Sequence, residues 1–160
     1  MRIYLLLLAF LMNSSIAVSG GNDKKNDAVF DVFDKLLETL DPPQGYDWTP
    51  KLEVTPDTIL YALSIPVYDK EKDKFGFKIK ISRGILDKLT NNDDNALAYL
   101  LGHELAHIKL GHLTENLNYE TSLVSKALTR NEEFEADNEA IKIAVDAGYS
   151  HKSLINSLRM

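Results

Sequence analysis

The chain contains no cysteine. That absence excludes disulfides, thiolate-ligated zinc, iron–sulfur clusters, a thiol nucleophile and lipidation at cysteine. Glycine and proline are also sparse, 8 and 5 among 160 residues, and they punctuate patterned segments, which excludes collagen-like repetition and low complexity. Basic charge is in deficit: 18 Lys and Arg stand against 24 Asp and Glu, and no basic cluster offsets the net −6. A phosphate backbone would meet repulsion over most of such a surface, so a nucleic-acid partner is not expected. Long apolar runs are scarce too, with a single one at residues 3–12. What remains is 44% hydrophobic residues, enough to build one core in a chain of this length.

The apolar run at 3–12 follows Met1 and Arg2 and precedes the small, polar stretch 13–20. A positive start, a short apolar centre and small residues at a cleavage site are the three parts of a secretory signal. Cleavage fits after Ala17 or after Ser19. Ten apolar residues fall short of the ~30 Å of hydrocarbon that a span must cross. The expected organisation is a signal peptide over 1–19 and a single domain over 20–160, exported to the periplasm or the medium. No transmembrane span is expected in the mature chain.

Val29, Val32, Phe33, Leu36, Leu37 and Leu40 recur at helical spacing until Asp41-Pro42-Pro43 stops them. Residues 43–57 hold three prolines with Gly45 and Trp48, which predicts an irregular wrap-around segment with Trp48 as a core or lid aromatic. Residues 58–68 read as a strand, 69–74 as a charged turn, and 75–81 as a half-exposed strand alternating apolar with basic. Together they predict an antiparallel hairpin. From Ser82 the pattern turns helical: a capped helix over 82–89, a long one from Asp93 or Asp94 to about Leu117, others over 119–129 and 131–147, and a short one over 151–158. Gly148 should end the fourth. The fold class is α+β, mainly α.

His103-Glu104-Leu105-Ala106-His107 is an H-E-x-x-H element inside the long helix. Residues i and i+4 lie ~6 Å apart along a helix axis and on one face, so both imidazoles can reach one metal ion. Glu104 is turned ~100° from His103, beside such a metal rather than on it. With four histidines and ten glutamates in the chain, chance supplies this pattern roughly 0.006 times. A catalytic zinc takes three protein ligands and keeps one position for water. The third is sought on the acidic helical segment 131–140, where Glu133, Asp137, Ala140 and Ala144 share a face. A solvated acidic surface suits Glu132 and Glu139 better.

The stretch Leu101-Gly102-His103-Glu104-Leu105-Ala106-His107-Ile108-Lys109-Leu110-Gly111-His112, followed by Glu133-Phe134-Glu135-Ala136-Asp137, resembles metallopeptidase family forty-eight. That family includes the CAAX prenyl proteases, HtpX and the BepA-type proteases. Ser82-Arg83-Gly84-Ile85-Leu86 and Ala147-Gly148-Tyr149-Ser150 match its framework as well, so the resemblance covers about 58–158. It implies a zincin-like, gluzincin-type catalytic domain holding one zinc on His103, His107 and Glu133. Glu104 would be the general base, and Asp137 either a proton donor or the support of a zinc histidine. Support is preferred, because a carboxylate on the other ring nitrogen selects the metal-binding tautomer. The sequence departs from the family in the short 25-residue gap between His107 and Glu133 and in lacking both transmembrane helices and a tandem-repeat region.

His112, ~140° round a continuous helix from His107, is expected to be structural. Tyr149 and His151 could face an oxyanion but fit capping and packing better. The function expected is zinc-dependent endoproteolysis of unfolded or misassembled envelope proteins. Its partners would be a protein or peptide substrate, with peripheral association to envelope proteins, and strand 75–81 would pair with the substrate along its edge. The rivals are a zinc-bound holdase that binds unfolded protein without cutting it and a metal-free helical partner module. Neither has a chemical need for Glu104.

Overall fold

The computed structural model describes residues 23–41, 50–90, 93–114 and 128–150. The signal segment, Trp48, His151, residues 119–127 of the helix expected over 119–129 and the short helix expected over 151–158 lie outside them, while Leu128 and Thr129, at the end of the first of these helices, are not helical. Among the described residues the architecture is mixed α+β, in the order α1 (Asp23–Leu37), β1 (Lys51–Thr55), β2 (Ala62–Asp69), β3 (Lys74–Ser82), α2 (Arg83–Ile85), α3 (Asp94–Lys109) and α4 (Arg130–Asp146). No described helix is long and apolar enough to cross a membrane.

The sheet has the order β1-β3-β2, with β1 parallel and β2 antiparallel to β3. Two sequence expectations are corrected here. Residues 51–55 are a strand, not part of an irregular wrap, with Lys51 opposite Lys78 and Thr55 opposite Ser82. Five residues between Pro50 and Pro56 carry little local strand signal, and their partner lies about 27 positions ahead, a pairing no local window contains. Strand β3 is therefore central rather than an edge. Its Phe75, Phe77, Ile79 and Ile81 are buried on one face, while Lys78 and Lys80 meet Glu53 of β1 at 2.9 and 3.8 Å on the other. The hairpin forms as the alternation predicted, but β2 starts at Ala62 instead of 58.

Residues 57–61 are diverted by the β3–α2 junction. Ser82 is fully buried, and its hydroxyl accepts from the Ile85 and Tyr61 N–H groups, capping α2 and holding the incoming chain at once. Gly84 donates its N–H to the Asp57 carbonyl at 2.9 Å, and a Cβ there would sit 2.3 Å from the Thr58 carbonyl oxygen. Only glycine allows that approach of backbone to backbone. The single helix expected over 82–89 is one α-turn continued as a π-helical turn over Leu86–Thr90.

Helix α3 is the centre of the molecule. Leu97, Ala98, Leu101, Leu105, Ala106 and Ile108 are buried, and it packs on α1, α4, β2 and β3. Truncating Leu101 or Leu105 to Ala would cost roughly 2–5 kcal/mol. Val29, Val32, Phe33 and Leu36 of α1 join this core as their spacing predicts. Helix α4 approaches α3 closely through small residues. Ala136, Ala140 and Ala144 are fully buried, and a Cβ on Gly102 would lie 3.1 Å from the Ala140 carbonyl oxygen. Asp93 caps α3 through the Asn95 N–H. Thr129-Arg130-Asn131-Glu132 forms a capping box on α4, with Thr129 N–H donating to Glu132 Oε2 and Glu132 N–H to Thr129 Oγ1.

Both long helices end on a glycine in the left-handed region. After α4, Gly148 has φ 87°, with the Gly148 N–H on the Val145 carbonyl and the Tyr149 N–H on the Ala144 carbonyl. The sequence predicted that stop. After α3 the same arrangement comes at Gly111, φ 77°, so the helix ends at Lys109 and not near Leu117. The Gly111 N–H reaches the Ile108 carbonyl, and the His112 N–H turns back to the His107 carbonyl at 3.0 Å.

Candidate metal centre

One turn of α3 separates His103 from His107, and their Nε2 atoms lie 3.0 Å apart. From α4, Glu133 brings Oε2 to 3.3 Å from His103 Nε2 and 3.8 Å from His107 Nε2. The three donor atoms all lie within 4.8 Å of one another, so this group could hold a metal ion. The Gly102–Ala140 contact sets the separation of the two helices, one residue before His103. A larger residue at either position would push the carboxylate away from the imidazoles.

The donors fit a cation. Asp137 Oδ1 lies 2.9 Å from His103 Nδ1 and also accepts the Tyr99 hydroxyl at 2.6 Å. A carboxylate only accepts, so a neutral His103 carries its hydrogen on Nδ1 and presents a bare Nε2. That lone pair points into a space shared with a carboxylate oxygen and a second ring nitrogen. Burial, followed by the charges of His103 and His112, pushes the His107 pKa down to about 4, which keeps this ring neutral at pH 7. Burial and the Asp137 hydrogen bond push the Tyr99 phenol well above its ordinary range, so it stays a donor.

Glu104 is 7% exposed, and its carboxylate meets the sheet at Ser64. Ser64 Oγ of β2 lies 2.7 Å from its Oε2 and 2.9 Å from its backbone carbonyl oxygen. Burial raises the Glu104 pKa, with help from the Glu133 charge, while the Ser64 hydrogen bond and His103 oppose the rise. A cavity of about 250 Å³ opens over Ser64, His103, Glu104, His107 and Glu133, with Ala62, Leu63, Leu113 and Leu128 as apolar walls. A buried carboxyl whose pKa is raised, next to a group that could hold a Lewis-acidic ion, can serve hydrolysis.

The structure thus brings His103, Glu104, His107, Glu133 and Asp137 into one place. Glu132 is spent on the α4 capping box. Glu139 is engaged elsewhere, by Lys109 and Lys142, which donate to it at 2.6 and 2.7 Å. Tyr149 lies away from the site, half-buried against the core with Lys35 Nζ 5.5 Å from its ring centre. The placement of His112 is corrected, and its expected structural role is not contradicted. Because α3 stops at Lys109, His112 is not carried round a continuous helix but folded back, with its Nδ1 2.9 Å from His107 Nδ1.

Sequence reasoning missed Ser64, Tyr99 and the contact of His112. Tyr99 was accessible, since it stands four residues before His103 on one helix face. The Leu110-Gly111-His112 run carried the stop signal for α3. Nothing local marked Ser64, whose partner is 40 residues away.

Residues 84–156 match a family model described as Peptidase U49. The match covers under half of the chain, from α2 to beyond α4, and so includes every candidate donor. It points to a peptidase. The family matched is not family forty-eight, so the resemblance read from the motifs is corrected to the broader statement that this is a peptidase-like domain. No curated protein matches the chain.

Proposed function

We propose that the protein is an exported zinc-dependent endopeptidase of zincin-like fold that cuts unfolded or misassembled proteins of the cell envelope. The observation that carries this reading is the convergence of His103 Nε2, His107 Nε2 and Glu133 Oε2 beside the buried carboxyl of Glu104. Two imidazole nitrogens and one carboxylate oxygen, with no sulfur, suit zinc and leave a coordination position open. Bound there, zinc supplies Lewis acidity to the scissile carbonyl and to the attacking water. Glu104 takes the proton from that water and delivers it to the leaving amine. Its raised pKa suits both halves of the task, and the Ser64 hydroxyl holds Oε2 so that Oε1 remains for the water. Asp137 and Tyr99 orient His103.

The substrate strand belongs on β2. Strand β3, once the favoured edge, is paired on both sides, whereas β2 is an outer strand of the described sheet and carries Leu63 and Ser64 into the cavity. Main-chain pairing along β2 requires an extended segment, which a folded protein does not offer. Export rests on the three-part N-terminus, and mass spectrometry of the secreted or periplasmic protein should find it starting at Val18 or Gly20. An intact Met1 in a membrane fraction would reject export.

The chemistry is tested with Glu104→Gln on an unfolded protein substrate. The variant should bind zinc and fold as the parent does, because a base and not a ligand is removed, yet cleave at least about a hundredfold more slowly. A chelator should abolish cleavage by the parent. Equal cleavage by the variant rejects Glu104 as the base. A parent that binds unfolded protein and zinc but does not cut is the holdase.

A further inference from the structure

His107 is held from behind by a residue that the proposed chemistry does not use. The turn at Gly111 returns His112 onto the last turn of α3, where it is 7% exposed and meets His107 through the Nδ1 atoms of both rings at 2.9 Å. In a helix stop of this type the residue after the glycine packs on the residue five positions earlier, usually as an apolar pair. Here that pair is two imidazoles. The second nitrogen of His112, Nε2, lies 3.3 Å from Glu135 Oε2 on α4.

Two neutral rings joined through Nδ1 must consist of one donor and one acceptor. If His112 donates, its Nε2 is bare and confronts the Glu135 carboxylate, acceptor against acceptor. If His107 donates, His112 Nε2 carries a hydrogen toward Glu135 and every contact behind His107 is satisfied. The second arrangement leaves His107 Nε2 bare, pointing where His103 Nε2 and Glu133 Oε2 also point. His103 reaches the same state by a separate route, through Asp137. Two carboxylates on α4, Asp137 and Glu135, thereby strip the hydrogen from the inner nitrogen of both rings, one directly and one through His112. The two bare nitrogens stand 3.0 Å apart, a repulsive arrangement that a cation between them relieves.

We propose that His112, anchored by Glu135, is the positioning residue for His107, fixing the tautomer and ring orientation that aim Nε2 at the metal. The proposal rests on the metal-binding reading of His103, His107 and Glu133. It makes Glu135 part of the centre, although it is neither a ligand nor on the face of Glu133.

The test is zinc affinity of the full chain, measured by competition with a chelating dye, for the parent, His112→Leu, His112→Asn and Glu135→Ala. Leucine fills the buried space but accepts no hydrogen bond, and zinc should bind about 10–100-fold more weakly. The asparagine amide oxygen can stand where Nδ1 stood, so His112→Asn should stay within about threefold of the parent. Glu135→Ala should fall between them. A purely structural role for His112 would lower the thermal midpoint of the metal-free protein but leave the affinity ratio of the leucine and asparagine variants at one. Nitrogen-15 spectra of the metal-free parent supply a readout that needs no variant to fold: His107 should carry its hydrogen on Nδ1. Hydrogen on Nε2 there, or equal zinc affinity for parent and His112→Leu, or an asparagine variant as weak as the leucine one, overturns the proposal. A parent that binds no zinc overturns the metal reading itself, and this inference with it.

Discussion

The helix pair α3–α4 and the three-stranded sheet face the same cavity and contribute unequally to it. The helices bring three candidate donors together with Asp137 and Tyr99, all placed by steps of one turn: 99, 103 and 107 on α3, 133 and 137 on α4. Once the helices form, a single contact at Gly102 and Ala140 sets the distance between the two rows. The sheet supplies one hydroxyl, Ser64, whose partner Glu104 is 40 residues away, and one outer strand, β2, held by its pairing with β3. The candidate metal centre is thus a local product of two helices, while the posture of the Glu104 side chain is set by the sheet. Damage on the helix side should cost metal. Damage on the sheet side should cost stability while leaving the donors intact.

The largest effect expected is on the helix side. Glu133→Ala removes one of three donors and should weaken zinc binding by several orders of magnitude, whereas Asp137→Ala, which loses only the orientation of His103, should weaken it about 10–100-fold. Glu132→Ala should bind zinc as the parent does and lose about 1 kcal/mol of stability with its half of the capping box. Zinc titration and denaturant unfolding of the three variants check this. Zinc loss in Glu132→Ala as complete as in Glu133→Ala would mean that α4 presents a different face to α3.

A smaller effect compares one glycine from each region. At Gly84, on the sheet side, an added Cβ would meet the Thr58 carbonyl oxygen at 2.3 Å, and neither partner is a flexible side chain. Gly84→Ala should therefore destabilise by about 3 kcal/mol, as overpacking of a rigid site does. At Gly102 the corresponding distance is 3.1 Å, and alanine gains up to ~1 kcal/mol of helix propensity over glycine. The two nearly cancel, so Gly102→Ala should shift stability by less than about 1 kcal/mol and lower zinc affinity slightly by easing α4 away. The reverse order in a urea titration would show that the helix pair, not the sheet junction, is the tightest part of the molecule.

The same contrast explains what was legible in the sequence. H-E-x-x-H, the face shared by Glu133 and Asp137, and the stop at Gly148 are all spacing rules within one helix, and each could be read without knowing the partner element. The end of α3 was written as plainly in Gly111, but a helix expected to run to about Leu117 carried His112 round to the wrong side. Strand β1 was hidden for a different reason. Leu52 and Val54 alternate over only five residues, and the pairing that makes them a strand is a parallel one with β3, 27 positions ahead. Ser64 inherits that ignorance, because its meeting with Glu104 is a consequence of how β2 lies on α3. Local rules found the residues that the two helices bring together, and the sheet's share had to wait for the topology.

The smallest expected effect concerns the charge clamp across the helix pair. Glu139 of α4 accepts from Lys109 of α3 and from Lys142 of its own helix, and its side chain is 12% exposed. Those two hydrogen bonds, Lys109 first, hold its carboxyl below the ordinary value of 4.5 against the opposing effect of burial. A carboxyl with a lower pKa folded than unfolded adds stability above the unfolded value, and that stability is lost as pH falls through the folded one. Glu139→Gln should accordingly lower stability at pH 7, by no more than about 1 kcal/mol, because the lysines remain near solvent. The gap to the parent should narrow below pH 4.5 and shrink in 1 M salt, where charges are screened within ~3 Å. Zinc affinity should not change, since Glu139 pairs with Lys109 and Lys142 and with none of the donors. A gap that persisted at low pH would assign the loss to the amide's hydrogen-bond fit rather than to the lost charge. A gap well above 1 kcal/mol would mean that charge, rather than the Gly102–Ala140 contact, holds the two rows of donors together.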